Sequence, residues 1–386
     1  MSAASTPVID PVALTRDLIR RPSVTPADEG AMDVLERALT GLGFDCRRMP
    51  FEGIENLYAR RGTASPNLCF AGHTDVVPTG STEAWSSGPF EAEVKDGVLY
   101  GRGAVDMKGG IAAWVAAVSR VLAEGEVPGS LSFLITGDEE GPALHGTKRV
   151  VEALMAEGEV LDACVVGEPS SSVQLGDMIK IGRRGSLNTW ITVHGKQGHV
   201  AYPDRAANPA PVLAKLLARL DDHLLDEGYP EFPPSNLEIT TIDIGNPATN
   251  IIPAEAKARL NIRFNPTHTG DALIAWLNAM AGEAQAASGL QITLEHLCSG
   301  NAFLTEPGPF ITAVQDAVET ATGRRPEAST TGGTSDARFI RAMCPVLELG
   351  LVGQTMHQID ERAPVAEIEA LAEVYRTVIR TFFERA

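Results

Sequence analysis

Short apolar runs recur along this chain, and five of them lead to side chains able to ligate a metal. NLCFAG precedes His73, VLYGRGAV precedes Asp106, LSFLITG precedes Asp138–Glu140, DACVVG precedes Glu168 and VLELGLVG precedes His357. Runs of this length and composition read as buried strands. Helix-like stretches at 109–123 and 144–157 alternate with them, which implies a mostly parallel sheet covered on both faces. In open α/β sheets, ligands bind beyond the carboxyl ends of the strands. The pattern therefore predicts an α/β fold that gathers His73, Asp106, Glu140, Glu168 and His357 at one sheet edge. Two neutral imidazoles and three carboxylates form a mixed N/O set, which suits zinc or a similar divalent ion.

At 386 residues the chain is too long for one ordinary core, so two domains are expected. It opens with two amphipathic helices within 9–43. After Gly182 the rhythm changes. A strand at 187–195, a helix at 209–226, strands at 236–245 and 256–264, a helix at 270–287 and a strand at 290–297 follow in turn. That β-α-β-β-α-β order is the split-βαβ pattern. It predicts an inserted second domain at 183–296. A first domain is then made of 1–182 and 297–386, closing with helices at 309–322 and 365–384. An insert beside a sheet-edge cleft suits a lid.

The net charge of −18 argues against a nucleic-acid partner, which would need a basic stripe. Cys46, Cys69, Cys164, Cys298 and Cys344 are odd in number and contain no CxxC, as expected of free thiols in a reducing cytoplasm. The first residues lack the uncharged apolar core of a signal peptide, and no stretch approaches a membrane span. No G-x-G-x-x-G opens a helix after the first strand, which counts against a dinucleotide-dependent oxidoreductase.

Singly, each candidate has an ordinary alternative. His73 and Asp75 form an H-x-D pair, in which Asp75 could fix the imidazole tautomer or simply cap a turn. Asp106, within GRGAVDMKGG, could bridge two ions or act as an N-cap. In TGDEEG, Glu140 could ligate while Glu139 faces the substrate and moves protons, or both could be solvated. Glu168 could cap the next segment, and His357 could be a loop histidine bonded to backbone. Together, they point to a dinuclear hydrolytic site.

GHTDVVP (72–78), YGRGAVDMKGG (100–110), TGDEEG (136–141), GEPS (167–170) and the late His357 resemble the M20 metallopeptidase family, in the same order and over essentially the whole chain. The resemblance implies a zinc peptidase domain interrupted by a ferredoxin-like lid that forms a homodimer. It also implies two Zn2+ per subunit, with Co2+ a possible substitute. Asp106 would bridge the ions, His73 and Glu168 would complete one, and Glu140 and His357 the other. Glu139 would be general base and acid. His199 would reach the partner subunit's active site.

IGRRGSL (181–187), GKQGHVAYP (195–203), TNIIPAEAKARLNIRFN (249–265) and TTGGTSDARFI (330–340) are most similar to family members that hydrolyse N-succinyl-L,L-2,6-diaminopimelate. Arg183, Ser186, Tyr202, Asn250, Arg263, Gly333 and Thr334 match their substrate contacts. Arg184 adds a further guanidinium suited to a substrate rich in carboxylates. Where that group carries an Asn before the last histidine, this chain has Gly353 or Gln354. The rival readings are a family member acting on another N-acyl amino acid, such as acetylornithine, and a binding protein without turnover.

Overall fold

The computed structural model describes residues 7–385. Its largest sheet runs in the order Asp45–Arg48, Leu57–Arg61, Ser130–Thr136, Asn67–His73, Ala163–Val166, Val346–Glu348, Met178–Lys180, Glu327–Ser329. The four middle strands, Ser130–Thr136 through Val346–Glu348, are mutually parallel. Antiparallel pairings flank them on both sides. Every residue of Asn67–His73, Ser130–Thr136 and Ala163–Val166 is buried, as strands covered on both faces require. Helices Pro11–Ile19, Lys108–Glu124, Pro309–Thr322 and Val365–Arg385 pack against one another beside this sheet. There Phe70 stacks on Trp114 and Trp114 meets Tyr375 edge to face, each pair with ring centroids 4.8 Å apart.

Local chemistry sets the element ends. Asp10 accepts hydrogen bonds from the amides of Val12 and Ala13, with Pro11 opening the helix behind it. Thr269 caps the helix Gly270–Ser288, and Gly289 ends it in the left-handed conformation.

The chain divides into two units. The first comprises the residues up to Ile181, Thr305–Ser329 and those from Ser335 onward; the second is Gly182–Leu304 with Thr330–Thr334. The sequence reading ended the insert at 296. In the structure its last long strand runs on to Gly300, and Phe303–Leu304 then pairs with Gly182–Arg183. Returning chain is thus paired with outgoing chain where the unit begins and ends.

Within the second unit the sheet order is Asn236–Asp243, Glu255–Phe264, Gly185–His194, Ile292–Gly300, all antiparallel. Helices Ala210–Asp221 and Gly270–Ser288 cover one face, burying Leu187, Ile191, Leu217, Leu260, Ile262 and Leu277. Alternation along Glu255–Phe264 leaves its other side chains partly or fully exposed.

Cys69, Cys164 and Cys344 are buried, and all five cysteines are free thiols. Among the described residues, no helix is long and apolar enough to cross a membrane.

Candidate metal centre

Four of the predicted residues sit where three strands of the sheet end. His73 is the last residue of Asn67–His73, Glu139 and Glu140 follow Ser130–Thr136 across a short turn, and Glu168 lies just past Ala163–Val166. The turn before Glu139 is pinned by Asp138, which takes a left-handed φ of 67° while its carboxylate accepts the amides of Leu144 and His145. Asp75 differs from expectation. Its main-chain carbonyl, 2.8 Å from His73 Nδ1, holds the imidazole. Its carboxylate instead accepts the amides of Glu139 at 3.3 Å and Glu140 at 3.1 Å. Asp75 therefore positions the two glutamates and, through its backbone, the tautomer of His73.

Asp106 and His357 arrive by other routes. The run before Asp106 does not enter the main sheet. Val98–Tyr100 joins a separate three-stranded antiparallel sheet with Glu93–Lys95 and Arg362–Pro364. Its hairpin with Glu93–Lys95 turns at Gly97, φ 77°. Asp106 then sits just ahead of the helix Lys108–Glu124. His357 lies past the one-turn helix Gly353–Thr355, at a left-handed φ of 62°.

Asp106 is the hub. Its Oδ1 is 3.4 Å from His73 Nε2, while its Oδ2 is 3.2 Å from His357 Nε2. Glu168 Oε1 lies 3.6 Å from His73 Nε2, and Glu140 Oε1 lies 2.9 Å from His357 Nε2. Glu139 Oε2 is 4.0 Å from His73 Nε2. One carboxylate thus presents one oxygen to each imidazole, with a second carboxylate beside each.

The electrostatics are those of crowded buried acids. Burial pushes Glu139 well up, and Asp336, Glu140 and Asp106 push it further against the pull of His73. Burial and then Asp106 do the same to Glu168. Burial alone would lower His73, but Asp106, Glu168, Glu139 and Asp75 outweigh it and raise it well above the usual range. Asp106 and Glu140 push His357 up to about 10. The opposing histidines hold Asp106 low despite its burial.

The side chains fit divalent cations. His73 Nε2 and Asp106 Oδ1 are buried without a hydrogen-bond partner, although buried polar atoms are normally satisfied. Ligand atoms of His73, Asp106 and Glu140 lie within 4.8 Å of one another, as do those of His73, Glu139 and Glu168. Imidazole nitrogens and carboxylate oxygens in such numbers suit zinc or a related ion.

In the second unit the remaining predicted residues form two groups. Ser186 and Arg263 are register partners on adjacent strands, and Asn236 pairs with Arg263 from the other side. Arg184 donates to Asn236 Oδ1 at 2.8 Å. Arg183 is buried and donates to the carbonyl of Thr331, in the segment that also carries Gly333 and Thr334. Among the described residues neither Arg184 nor Arg263 pairs with an acid. Burial lowers both, and Arg184 lowers Arg263 further. The second group is a small ribbon. His199 pairs with Ile251, Asn250 O accepts the amide of Val200, and the rings of His199 and Tyr202 are 5.8 Å apart.

Two residues escaped the sequence reading. Glu361, fully buried, accepts the amides of Gly103, Val105 and Asp106 and pairs with Arg102. In sequence it is an acid in QIDER, which reads as solvated loop; only the burial of Arg102 opposite it reveals its role.

Residues 69–381 match Peptidase family M20/M25/M40. The chain is 67% identical over 377 residues to a succinyl-diaminopimelate desuccinylase of Caulobacter vibrioides, covering 97% of this chain and 96% of that protein. It is 66% identical over 383 residues to one of Phenylobacterium zucineum, covering 99% of this chain and 100% of that protein. In fold it is similar to an M20 family metallo-carboxypeptidase from Sulfolobus solfataricus, with a TM-score of 0.80 at 17% identity, covering 97% of this chain and 99% of that one. It is also similar to a dinuclear metal binding peptidase from Bacillus subtilis, with a TM-score of 0.72 at 16% identity over 97% of this chain and 98% of that one.

Proposed function

Since this chain belongs to the M20/M25/M40 peptidase family, we propose that its cluster of imidazoles and carboxylates hydrolyses the amide of N-succinyl-L,L-2,6-diaminopimelate. The products are succinate and L,L-2,6-diaminopimelate, within lysine and diaminopimelate biosynthesis. The observation that carries the chemistry is Asp106, with one oxygen toward His73 and the other toward His357. Near full-length identity to desuccinylases supports the substrate.

Two divalent cations, zinc with cobalt as a substitute, are assigned to Asp106 with His73 and Glu168, and to Asp106 with Glu140 and His357. Bound there, they would polarise the scissile carbonyl and acidify a water at neutral pH. Glu139, held by its amide on Asp75, takes the proton of the attacking water and passes it to the departing amine. Burial and neighbouring acids keep that carboxylate basic enough to accept a proton. Arg183, Arg184 and Arg263 bind the carboxylates of the substrate, with Ser186, Tyr202, Asn250, Gly333 and Thr334 completing its pocket. A guanidinium fork is the strongest available partner for such a group. Two copies pair through the second unit, so that His199 donates to the oxyanion in the partner subunit's site. The enzyme works in the cytoplasm.

The test is a zinc titration of metal-free protein, following succinyl-diaminopimelate and acetylornithine in parallel. Turnover should appear with metal and favour the succinyl substrate by at least about a hundredfold. Comparable rates on both would reassign the substrate, and activity independent of metal would remove the mechanism.

A further inference from the structure

We propose that the buried Arg102–Glu361 pair is a positioning device that fixes the His357 side of the metal centre relative to the bridging Asp106. This rests on the two-ion reading above and goes beyond it, since neither residue reaches the substrate or is placed as a ligand.

Glu361 uses both carboxylate oxygens. Oε2 accepts from Arg102 Nη1 at 2.7 Å and from the amide of Gly103 at 3.0 Å. Oε1 accepts from the amides of Val105 at 2.9 Å and Asp106 at 3.2 Å. Its own carbonyl accepts the amide of Gly101 at 2.9 Å. The loop 101–106 is therefore wrapped around one side chain that lies four residues beyond His357.

Arg102 is 2% exposed and ties together three loops. Its Nη1 also donates to the carbonyl of Gln358 at 3.2 Å. Its Nη2 donates to the carbonyls of Pro78 at 3.3 Å and His357 at 3.4 Å. The guanidinium carbon stands 5.3 Å from the centre of the Trp85 ring. A cation this buried depends on its partners. Here they are the Glu361 carboxylate and main-chain carbonyls of the segment that carries His357 and of the one that follows His73, while Arg102 itself belongs to the segment that carries Asp106.

The two halves of the centre do not depend on this pair equally. His73 ends a fully buried strand and is anchored through Nδ1, and Glu168 follows another such strand. His357 has neither support. Its side chain is 50% exposed on a loop with a left-handed backbone, and Arg102 holds its carbonyl and that of Gln358. Outer partners of metal ligands typically change affinity 10–100-fold when removed. That loss should fall on the His357 ion.

The test is stepwise zinc binding to the metal-stripped full chain, by calorimetry against a competing chelator, for wild type, Glu361→Gln and Arg102→Lys. Metal-free melting temperature is measured alongside. Glu361→Gln keeps the shape but turns an amide NH2 toward donors. Arg102→Lys keeps the charge and loses the fork onto the carbonyls of His357 and Gln358. Both variants should bind the first ion within about threefold of wild type and the second at least about tenfold more weakly. Arg102→Lys supplies the measurement if Glu361→Gln does not fold. Equal loss of both ions, or two unchanged affinities in a folded variant, overturns the positioning role. A wild type that binds only one ion would instead overturn the two-ion reading.

Discussion

Substituting Gly110 by alanine should damage the metal centre without touching a ligand. Gly110 lies in the first turn of Lys108–Glu124, just after Asp106, and faces the carbonyl of Gly167, the residue before Glu168. A Cβ built on Gly110 would stand 2.5 Å from that oxygen, and further Gly167 main-chain atoms lie at 3.4 and 3.6 Å. An ordinary C···O contact is about 3.3–3.6 Å. Helix and loop must therefore separate by about 0.8 Å. The obstructing atoms all belong to the Gly167 backbone, so no rotamer change relieves the clash. Overpacking of this kind costs about 1–3 kcal/mol of stability. The larger effect is geometric, because ligand distances tolerate only about ±0.2 Å. The shift separates Asp106 from Glu168, so zinc affinity on the His73 side should fall at least about tenfold, and turnover about a hundredfold. Calorimetric zinc binding and initial rates at saturating zinc measure the two effects. A Gly110→Ala protein that binds both ions and turns over within twofold of wild type would refute the argument that helix–loop contact sets the ligand spacing.

Glu139→Gln should retain zinc and melt near wild type while losing about 10²–10⁴ in kcat, read by metal analysis and steady-state rates. Arg263→Lys should raise KM about tenfold or more with kcat nearly unchanged, because an ammonium cannot reproduce the two-point grip of a guanidinium. The pH dependence of metal binding follows from His357, held at about 10 by Asp106 and Glu140. Below that value the ring carries a proton that must leave before Nε2 can ligate. Affinity at the His357 position should therefore rise with pH up to about 10, by at most about tenfold per pH unit for this one proton, and then flatten. Chelator-buffered cobalt titrations between neutral and mildly alkaline pH read the slope, and a flat profile contradicts it.

His73, Glu140 and Glu168 were legible because each ends or follows a fully buried parallel strand, and a buried strand leaves few places for a polar side chain except its end. Asp106 was legible as a member of the cluster but not in its route. VLY looks like any buried strand, and only the partners Glu93–Lys95 and Arg362–Pro364 show that it lies in another sheet. The second unit's element order followed from alternation and helical periodicity. Its register did not: the opposition of Ser186 and Arg263 depends on strands brought together across the whole insert. Asp75 was expected to use its carboxylate on His73. Its distance to the imidazole is 3.6 Å, and two free amides at Glu139 and Glu140 compete for it more effectively. Glu361 was invisible because a lone acid in a polar loop has no periodicity to announce burial.

The position of Val346–Glu348 in the main sheet also bears on how the protein is made. This strand lies between Ala163–Val166 and Met178–Lys180, yet leaves the ribosome long after both. A nascent chain extending only to Leu304 can form the contiguous part of the second unit, Gly182–Leu304, while its main sheet still has a gap between Ala163–Val166 and Met178–Lys180. Until the C-terminal segment emerges, strand edges on both sides of that gap are open to pairing with other chains. The same late segment brings His357, so the cluster around Asp106 stays incomplete until then. Chaperone demand during synthesis should be concentrated in that interval.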